Sequence, residues 1–231
     1  MLLRAQAALF DIEGTVGPIS FVQEILFPYA RERMDGFLRE HREEPPIRAV
    51  LDAAAREAGV DVHDFPAILN ALHVWSDTDV KVTPLKELQG MIWKGGFESG
   101  TLQADLYGDA IEAMRRYHDA GVRLCIYSSG SIAAQKMLFS RTAAGDLRPW
   151  IESYFDTTTG PKRDASSYHH IISQLGLPPQ EVVFFSDVAT ELDAAREAGM
   201  QTVQLARAQD GVTAAGTHPA TDSFAQITIE R

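Results

Sequence analysis

The sequence has little of three things: cysteine, long apolar runs and positive charge. The single cysteine among 231 residues, Cys125, excludes an internal disulfide. It lies in the apolar stretch RLCIY, which predicts a buried thiol that packs as a small hydrophobe rather than a nucleophile. A chain without disulfides fits a reducing compartment, so we expect a cytoplasmic location.

No apolar run approaches the roughly 18 residues that a membrane span requires. The first ten residues, MLLRAQAALF, are interrupted by Arg4 and Gln6, so they lack the continuous apolar segment of a signal peptide. The sequence therefore predicts neither export nor a membrane partner.

Basic residues are outnumbered, with 21 Lys and Arg against 32 Asp and Glu and a net charge of -11. This charge repels nucleic acid, and no basic stripe offsets it, so we expect no nucleic-acid partner. The acidic surface also favours a monomer. A site for a small anion must supply its own positive charge from a lysine, a metal ion or helix N-termini.

The segment from about residue 19 to residue 103 has helical periodicity and predicts a small all-helical domain. Pro45–Pro46 is expected to break its first helix, Gly59 to cap the second in a left-handed conformation, and Thr83 to cap the fourth. The pair Gly95–Gly96 is expected to end that fourth helix. The predicted helices cover residues 27–41, 47–59, 65–75 and 83–96.

From about residue 107 onward, strand-like runs alternate with helical ones, as in VRLCIY, VVFFS and TVQLA. This alternation favours crossovers around a parallel sheet, to which the early strand AALF belongs by type. The predicted fold is therefore an α/β, doubly wound parallel sheet interrupted by an all-helical insert. We expect a core domain of residues 1–17 with 105–231, and an inserted domain of residues 18–104.

Ligands of open parallel sheets bind beyond the carboxyl ends of the strands, so residues that follow predicted strands are the site candidates. These candidates are Asp11 and Glu13 after AALF, Ser128 and Ser129 after VRLCIY, Lys162 after YFDTTTG, and Asp187 after VVFFS. Carboxylates can organise a hard cation, while a lysine and hydroxyls bind phosphoryl oxygens. The set is what binding and cleavage of a phosphate ester require.

The chemistry assigns a role to each candidate. A carboxylate that attacks a phosphate dianion needs a divalent cation, and Asp11 and Asp187 could hold magnesium from two sides. Lys162 would pair with phosphoryl oxygens as a positive charge, and Ser128 would donate a hydrogen bond to another of them. Glu13 is the nearest group to protonate the leaving oxygen and later activate water.

Each residue also has a non-catalytic interpretation. Lys162 alone fits a solvated surface lysine, and Ser128–Ser131 fits a loop that caps the next helix. Asp187 could be an N-cap, with Glu191 and Asp193 as acids favoured in a first helical turn. The catalytic interpretation rests on the residues after four predicted strands, which together supply at one edge of the sheet the groups that phosphate-ester cleavage requires.

At these residues the chain resembles the haloacid-dehalogenase-like phosphatase superfamily. That pattern has a strand-end Asp with a second acid two residues later, a Ser or Thr after another strand, a lysine and a late acidic motif, here FFSDVATELDAA. The stretches DIEGTVGPISFVQEILFPYARE, LQGMIWKGGFESGTLQADLYGDA and IYSSGSIAAQKMLF are similar to the enolase-phosphatase family of methionine salvage. Glu13 is specific to this resemblance, because most relatives in the superfamily carry Asp there.

The resemblance implies a magnesium-dependent enzyme that enolises 2,3-diketo-5-methylthiopentyl 1-phosphate and then removes its phosphate. It implies catalytic roles for Asp11, Glu13 and Lys162, with Glu13 as the hypothetical proton carrier. The implied magnesium positions are Asp11, Glu13, through its side chain or backbone carbonyl, and Asp187; the implied substrate-binding positions are Ser128, Ser129 and Lys162.

By the same resemblance, the helical insert is a cap that closes over the substrate. Trp93, Lys94 and Phe97 are candidate substrate contacts, with core packing or solvent exposure as the alternative. Three other functions stay open: a phosphatase of the same architecture acting on another small phosphate ester, a metal-free dehalogenase, and a phosphate-sensing module without turnover.

Overall fold

The chain divides into two compact units in the computed structural model, which describes all 231 residues. One unit comprises residues 1–21 and 103–231, and the other comprises residues 22–102. The boundaries expected from sequence lie within a few residues of this division. That the units act as catalytic core and cap stays a prediction.

The regular elements are eight strands and eight α-helices. The strands are β1 (Leu2–Arg4), β2 (Ala7–Phe10), β3 (Arg123–Tyr127), β4 (Ile151–Phe155), β5 (Val182–Ser186), β6 (Gln201–Leu205), β7 (Ala220–Thr221) and β8 (Thr228–Glu230). The helices are α1 (Phe27–His41), α2 (Pro45–Ala58), α3 (Phe65–Asp77), α4 (Thr83–Ser99), α5 (Gly108–Asp119), α6 (Ile132–Ser140), α7 (Ala165–Leu175) and α8 (Ala189–Glu197). A π-helical segment, Phe21–Leu26, precedes α1. None of the helices combines the length and the apolar character that a membrane crossing requires.

Six strands form one parallel sheet in the order β4-β3-β2-β5-β6-β7, and β1 pairs with β8 separately. The strands are short apolar runs, and β2 and β5 are buried along their whole length, as is typical of parallel sheets. The predicted α/β, doubly wound fold is therefore confirmed. Because chain order reverses between β2 and β5, these two strands form the topological switch point where such folds bind ligands.

The register aligns the carboxyl ends of the three central strands. Phe10 of β2 lies opposite Ile126 of β3 and Phe185 of β5. The residues that follow these partners are therefore brought to one edge of the sheet at one level.

The core of the α/β unit surrounds Cys125, which is free and buried as predicted. Aromatic rings pack beside it, with Tyr168 contacting both Tyr127 and Phe184. Burial, together with the charge of Glu152, raises the pKa of the Cys125 thiol to about 12. The thiol is thus protonated and serves packing.

The helical unit confirms α1 but corrects the expected bounds of its later helices. Pro45 and Pro46 do not follow directly on α1; they are the first residues of α2, where a proline loses no hydrogen bond. Gly59 caps α2 in the left-handed conformation, as predicted.

The fourth helix differs most from its prediction, because α4 passes through Gly95–Gly96 and ends at Ser99, with Gly100 as its left-handed cap. Thr83 is its first residue and makes no capping bond. Gly96 is a packing position: a Cβ there would lie 2.7 Å from Leu102 and from the Tyr29 hydroxyl. A glycine chosen for close packing carries the same sequence signal as a helix stop.

Candidate active site

Asp11 and Asp187 follow β2 and β5, the two strands at the switch point. The backbone N–H of Asp11 donates to the carbonyl of Phe185 at 2.9 Å, which continues the β2–β5 pairing by one residue. Asp11 is buried. Its position is therefore fixed by the sheet itself rather than by a flexible loop.

Lys162 joins two carboxylates at this edge. Its Nζ atom lies 2.6 Å from Oδ1 of Asp11 and 2.6 Å from Oε2 of Glu191, and only 10% of its side chain is exposed. Burial would lower the pKa of Lys162, but the two carboxylates raise it above its ordinary value. Lys162 is therefore a permanent cation, which excludes the interpretation as a solvated surface lysine.

Two tyrosines hold the loop that carries Lys162. The hydroxyl of Tyr168 donates to the Lys162 carbonyl at 2.7 Å, and that of Tyr127 donates to the Gly160 carbonyl at 2.9 Å. Since both rings are buried in the core, the lysine backbone is anchored to packed structure.

Glu191 is the site residue that sequence reasoning interpreted only as a first-turn acid. It is buried in the first turn of α8, where Ser186 Oγ donates to its Oε2 at 3.1 Å. Burial and the charge of Asp11 raise the pKa of Glu191, although Lys162 opposes the shift. By contrast, Asp193 is exposed and pairs with Arg196 at 2.6 Å. The available signal was its spacing from Asp187, since a first-turn side chain can fold back toward the preceding strand end.

Asp187 is the carboxylate whose charge the chain leaves least satisfied. Its Oδ1 atom is buried and has no hydrogen-bond partner. Burial, followed by the charges of Asp11 and Glu191, raises the pKa of Asp187 to about 7. Three carboxylates thus share one ammonium group, and this edge carries an excess of negative charge that favours a bound cation.

Glu13 belongs to a tight turn over residues 12–17. The carbonyl of Ile12 accepts N–H bonds from Val16 at 2.9 Å and Gly17 at 3.0 Å, and the Gly14 N–H donates to the Gly17 carbonyl at 2.8 Å. Gly14 has φ +70°, and a Cβ there would lie 2.6 Å from Oδ2 of Asp187. Glycine is therefore required both by the backbone conformation and by the close approach of Asp187.

The two serines after β3 have different environments. Ser128 is buried, and its Oγ accepts the N–H of Gly130 at 3.3 Å, whereas Ser129 is exposed. Gln135 fixes this loop by donating from Nε2 to the carbonyls of Gly130 and Phe155, each at 2.8 Å. The Ser128 hydroxyl keeps its own proton for another acceptor.

The donor set fits magnesium, although no three acidic, His or Cys side chains converge into a complete metal cage. Magnesium in proteins commonly takes one or two carboxylates and completes its octahedron with water and substrate phosphate. The unpartnered oxygen of Asp187 and the excess of negative charge suit that incomplete kind of site.

The remaining candidates lie on α4 of the helical unit. Trp93 donates from its indole N–H to the Leu26 carbonyl at 2.7 Å and stacks on Phe27. Phe97 is buried, and Lys94 is exposed beside Glu98. These contacts account for Trp93 by packing within its own unit, and substrate contact by any of the three stays a prediction.

Comparisons with known proteins identify the family of the chain. Residues 5–199 match the family model of haloacid dehalogenase-like hydrolases. Enolase-phosphatase E1 of Thioalkalivibrio sulfidiphilus is 48% identical to this chain, covering 96% of it and 98% of the relative. Enolase-phosphatase E1 of Pseudomonas aeruginosa is also 48% identical, covering 97% of this chain and 99% of the relative.

Solved structures share the fold of this chain. The crystal structure of the UTR4 protein from Saccharomyces cerevisiae superposes with a TM-score of 0.82 at 34% identity, covering 96% of this chain and all of that one. CbbY from Rhodobacter sphaeroides, in complex with phosphate, shares the fold with a TM-score of 0.62 at 19% identity, covering 96% of each chain. The chain therefore belongs to the haloacid dehalogenase-like hydrolases and, within them, to the enolase-phosphatase family.

Proposed function

We propose that this enzyme converts 2,3-diketo-5-methylthiopentyl 1-phosphate to 1,2-dihydroxy-3-keto-5-methylthiopentene and phosphate in methionine salvage. The observation that carries the proposal is the buried Lys162, held between Asp11 and Glu191 beside the unpartnered oxygen of Asp187. In a chain of the enolase-phosphatase family, this arrangement suits a phosphate ester that is enolised before its phosphate is removed.

Asp11 acts as the nucleophile of the dephosphorylation step. Lys162 holds its Oδ1, which leaves Oδ2 to attack phosphorus. The bond between phosphorus and the ester oxygen of the substrate breaks as an aspartyl phosphate forms. Water then hydrolyses that intermediate, which releases phosphate and restores Asp11. The Ser128 hydroxyl donates to a phosphoryl oxygen, and the exposed Ser129 provides a second donor beside it.

Glu13 acts as the proton carrier of the enolisation step. Its carboxylate takes a proton from the carbon between the carbonyl and the phosphate ester and passes it to the carbonyl oxygen, so that the enol forms and the carboxylate is restored. In dephosphorylation the same side chain protonates the leaving oxygen and then activates water. The turn over residues 12–17 brings it to the edge that carries Asp11.

Magnesium is the cofactor that this donor set would hold, through the carboxylates of Asp11 and Asp187 and through the side chain or backbone carbonyl of Glu13. When bound, it supplies positive charge that offsets the repulsion between the carboxylate and the phosphate and stabilises a developing enolate. Lys162 alone cannot balance three carboxylates.

The enzyme is further proposed to act as a monomer in the cytoplasm. The acidic composition disfavours self-association, and the buried Cys125 needs no oxidising compartment. Size-exclusion chromatography with light scattering tests the first point, and a dimer mass would overturn it.

The deciding experiment follows the diketo phosphate with magnesium, recording the ultraviolet absorbance of the enediol and the release of phosphate. We expect the wild type to produce both signals and chelator to abolish turnover. Asp11→Asn should form the enol phosphate without releasing phosphate, and Glu13→Gln should slow enolisation.

Each alternative has its own outcome in this assay. Faster turnover of ordinary phosphate esters without an enediol signal would instead indicate a general phosphatase. Activity that persists in chelator would overturn the magnesium requirement, and normal enolisation by Glu13→Gln would overturn its role as proton carrier.

A further inference from the structure

A buried arginine far along the chain reaches the turn that carries Glu13. The side chain of Arg207 is only 5% exposed. Its Nε donates to the Thr15 carbonyl at 3.2 Å, and its Nη1 donates to the Asp222 carbonyl at 3.1 Å. Its Nη2 binds both carboxylate oxygens of Asp109, at 3.1 and 3.0 Å.

Some hydrogen bonds of the turn over residues 12–17 form within it, but the carbonyls on its outer side accept hydrogen bonds from other residues. The Ile12 carbonyl accepts the N–H bonds of the turn, as described above. The outward carbonyl of Thr15 is bound by Arg207, and that of Val16 accepts the Tyr107 N–H at 2.9 Å. Arg207 also lies 4.0 Å from the centre of the Tyr107 ring, so the two residues form one support on the outside of the turn.

This support is itself rigid. Asp109 accepts hydrogen bonds from Ser223 Oγ at 2.8 Å and from the Phe224 N–H at 2.7 Å in addition to Arg207. Burial raises the pKa of Asp109, but the hydrogen bonds from Ser223 and Arg207 outweigh it and lower the pKa. The arginine is therefore held by an ionised partner, and its planar fork serves a carboxylate and two carbonyls together.

The groups of the site depend on this turn to different degrees. Asp11 is fixed by its N–H bond to the Phe185 carbonyl and Lys162 by its own loop. Glu13 and Gly14 belong to the turn itself, so their backbone is linked directly to the Thr15 carbonyl, and Gly14 packs against the Asp187 carboxylate. A displacement of the Thr15 carbonyl would therefore move Glu13 while leaving the Asp11–Lys162 pair in place.

We infer that Arg207 is a positioning residue for proton transfer: it holds the Thr15 carbonyl and thereby sets where Glu13 stands at the site. The inference rests on the proposed function only for the role of Glu13 as proton carrier. It assigns to Arg207 no contact with the substrate. A lysine at this position supplies the charge but not the fork that joins the Thr15 carbonyl to Asp109.

The test is a double-mutant cycle of Arg207→Lys and Glu13→Gln, with kcat and KM measured on the diketo phosphate. Since small misplacements of a reacting group are costly, we expect Arg207→Lys alone to lower kcat about tenfold with KM nearly unchanged. In the Glu13→Gln background the same substitution should lower kcat less than about twofold, because the group it positions is gone.

The matched control is Arg123→Lys, which also removes a bidentate carboxylate contact and a bond to a backbone carbonyl, but at the amino end of β3. It should leave kcat unchanged. Wild-type kcat in Arg207→Lys, or an equal loss in both backgrounds, would overturn the inference, since a general loss of structure does not depend on Glu13. If Arg207→Lys does not fold, Asp109→Asn takes its place in the cycle, because it leaves the guanidinium without its anionic anchor.

Amide hydrogen exchange gives a second readout that does not depend on substrate. In Arg207→Lys we expect faster exchange in peptides covering residues 12–17 and unchanged exchange in β2 and β5. If the wild type fails to convert the diketo phosphate, the proposed function fails, and this measurement alone decides the structural part of the inference. Equal exchange of residues 12–17 in both proteins would overturn it.

Discussion

The two ends of the six-stranded sheet carry charge in different ways. At the amino ends, Arg123 makes a bidentate pair with Glu152 and donates to the Leu175 carbonyl at 2.7 Å, so each charge has a partner. At the carboxyl ends, Asp11 and Glu191 share Lys162, and one oxygen of the nearby Asp187 has no partner. The same backbone pairing supports both ends, so the imbalance comes from the side chains, and in the proposed function a bound ligand completes them. We therefore expect the balanced end to contribute stability and the unbalanced end to carry the proposed chemistry.

The largest effect is expected from Lys162→Met, which removes the cation that Asp11 and Glu191 share. Because Asp11 and Glu191 then stay buried without a counter-charge, the free energy of unfolding should fall by about 3 kcal/mol. Urea denaturation of the metal-free protein measures this, and phosphate release should be lost as well. The control Lys86→Met, at an exposed position, should change stability by less than about 0.5 kcal/mol; equal losses in both variants would contradict the comparison.

Gly14→Ala should have the next largest effect. The new Cβ would fall 2.6 Å from Asp187 Oδ2 at a backbone φ of +70°, so either the carboxylate or the turn must move. We expect kcat to fall about a hundredfold, as for other displacements of reacting groups by an ångström. Gly36→Ala, where a Cβ meets nothing within 4 Å, should keep full activity and slightly stabilise α1. Full activity in Gly14→Ala would show that the close approach is not needed.

Bound magnesium should offset the excess negative charge of the unbalanced end and thereby stabilise the folded protein. At about 30 times its dissociation constant, magnesium should stabilise the wild type by about 2 kcal/mol, measured as a rise in Tm over the protein in chelator. Asp187→Asn should lose this rise, yet in chelator it should unfold at a higher temperature than the wild type because a buried charge is gone. Asp193→Asn, on the exposed face of α8, should keep the wild-type response. A full magnesium response in Asp187→Asn would remove that residue from the metal site.

The smallest effect is expected at the balanced end, from Arg123→Lys. Its pair with Glu152 is partly exposed, at 29% and 45% of the two side chains, so the loss of stability should be about 1 kcal/mol or less. Activity should not change, and urea denaturation with kcat as a second measurement tests both statements. A loss of activity here would mean that the two ends are coupled.

The strands and the residues that follow them could be predicted from the sequence because both are local features. Each strand is a short apolar run, and each of Asp11, Ser128 and Asp187 directly follows one. Sheet order and register then bring these residues to one edge. Lys162 could be proposed only through its chemistry, since nothing in its surrounding loop indicates that it is buried between two acids.

Glu191 and Arg207 could not be found in the same way. The first turn of a helix favours acids wherever it lies, so the signal for Glu191 is the same for a solvated acid and for one facing a lysine. Arg207 binds a backbone carbonyl 192 residues away in sequence. Every residue has such a carbonyl, so the residue type of the partner gives no signal of the contact. Gly96 shows the same limit, since its packing against Leu102 and Tyr29 cannot be told from a helix stop.

The sequence by itself determined the fold class, the helical insert and the chemical types at the strand ends, because apolar periodicity and turn residues act over a few neighbouring positions. Only the tertiary structure decided the electrostatics. It placed Lys162 between the carboxylates of Asp11 and Glu191, left one Asp187 oxygen without a partner, and supported the Glu13 turn from Arg207. The physical reason is that charge interactions in a buried site depend on distances and desolvation among residues far apart in the chain.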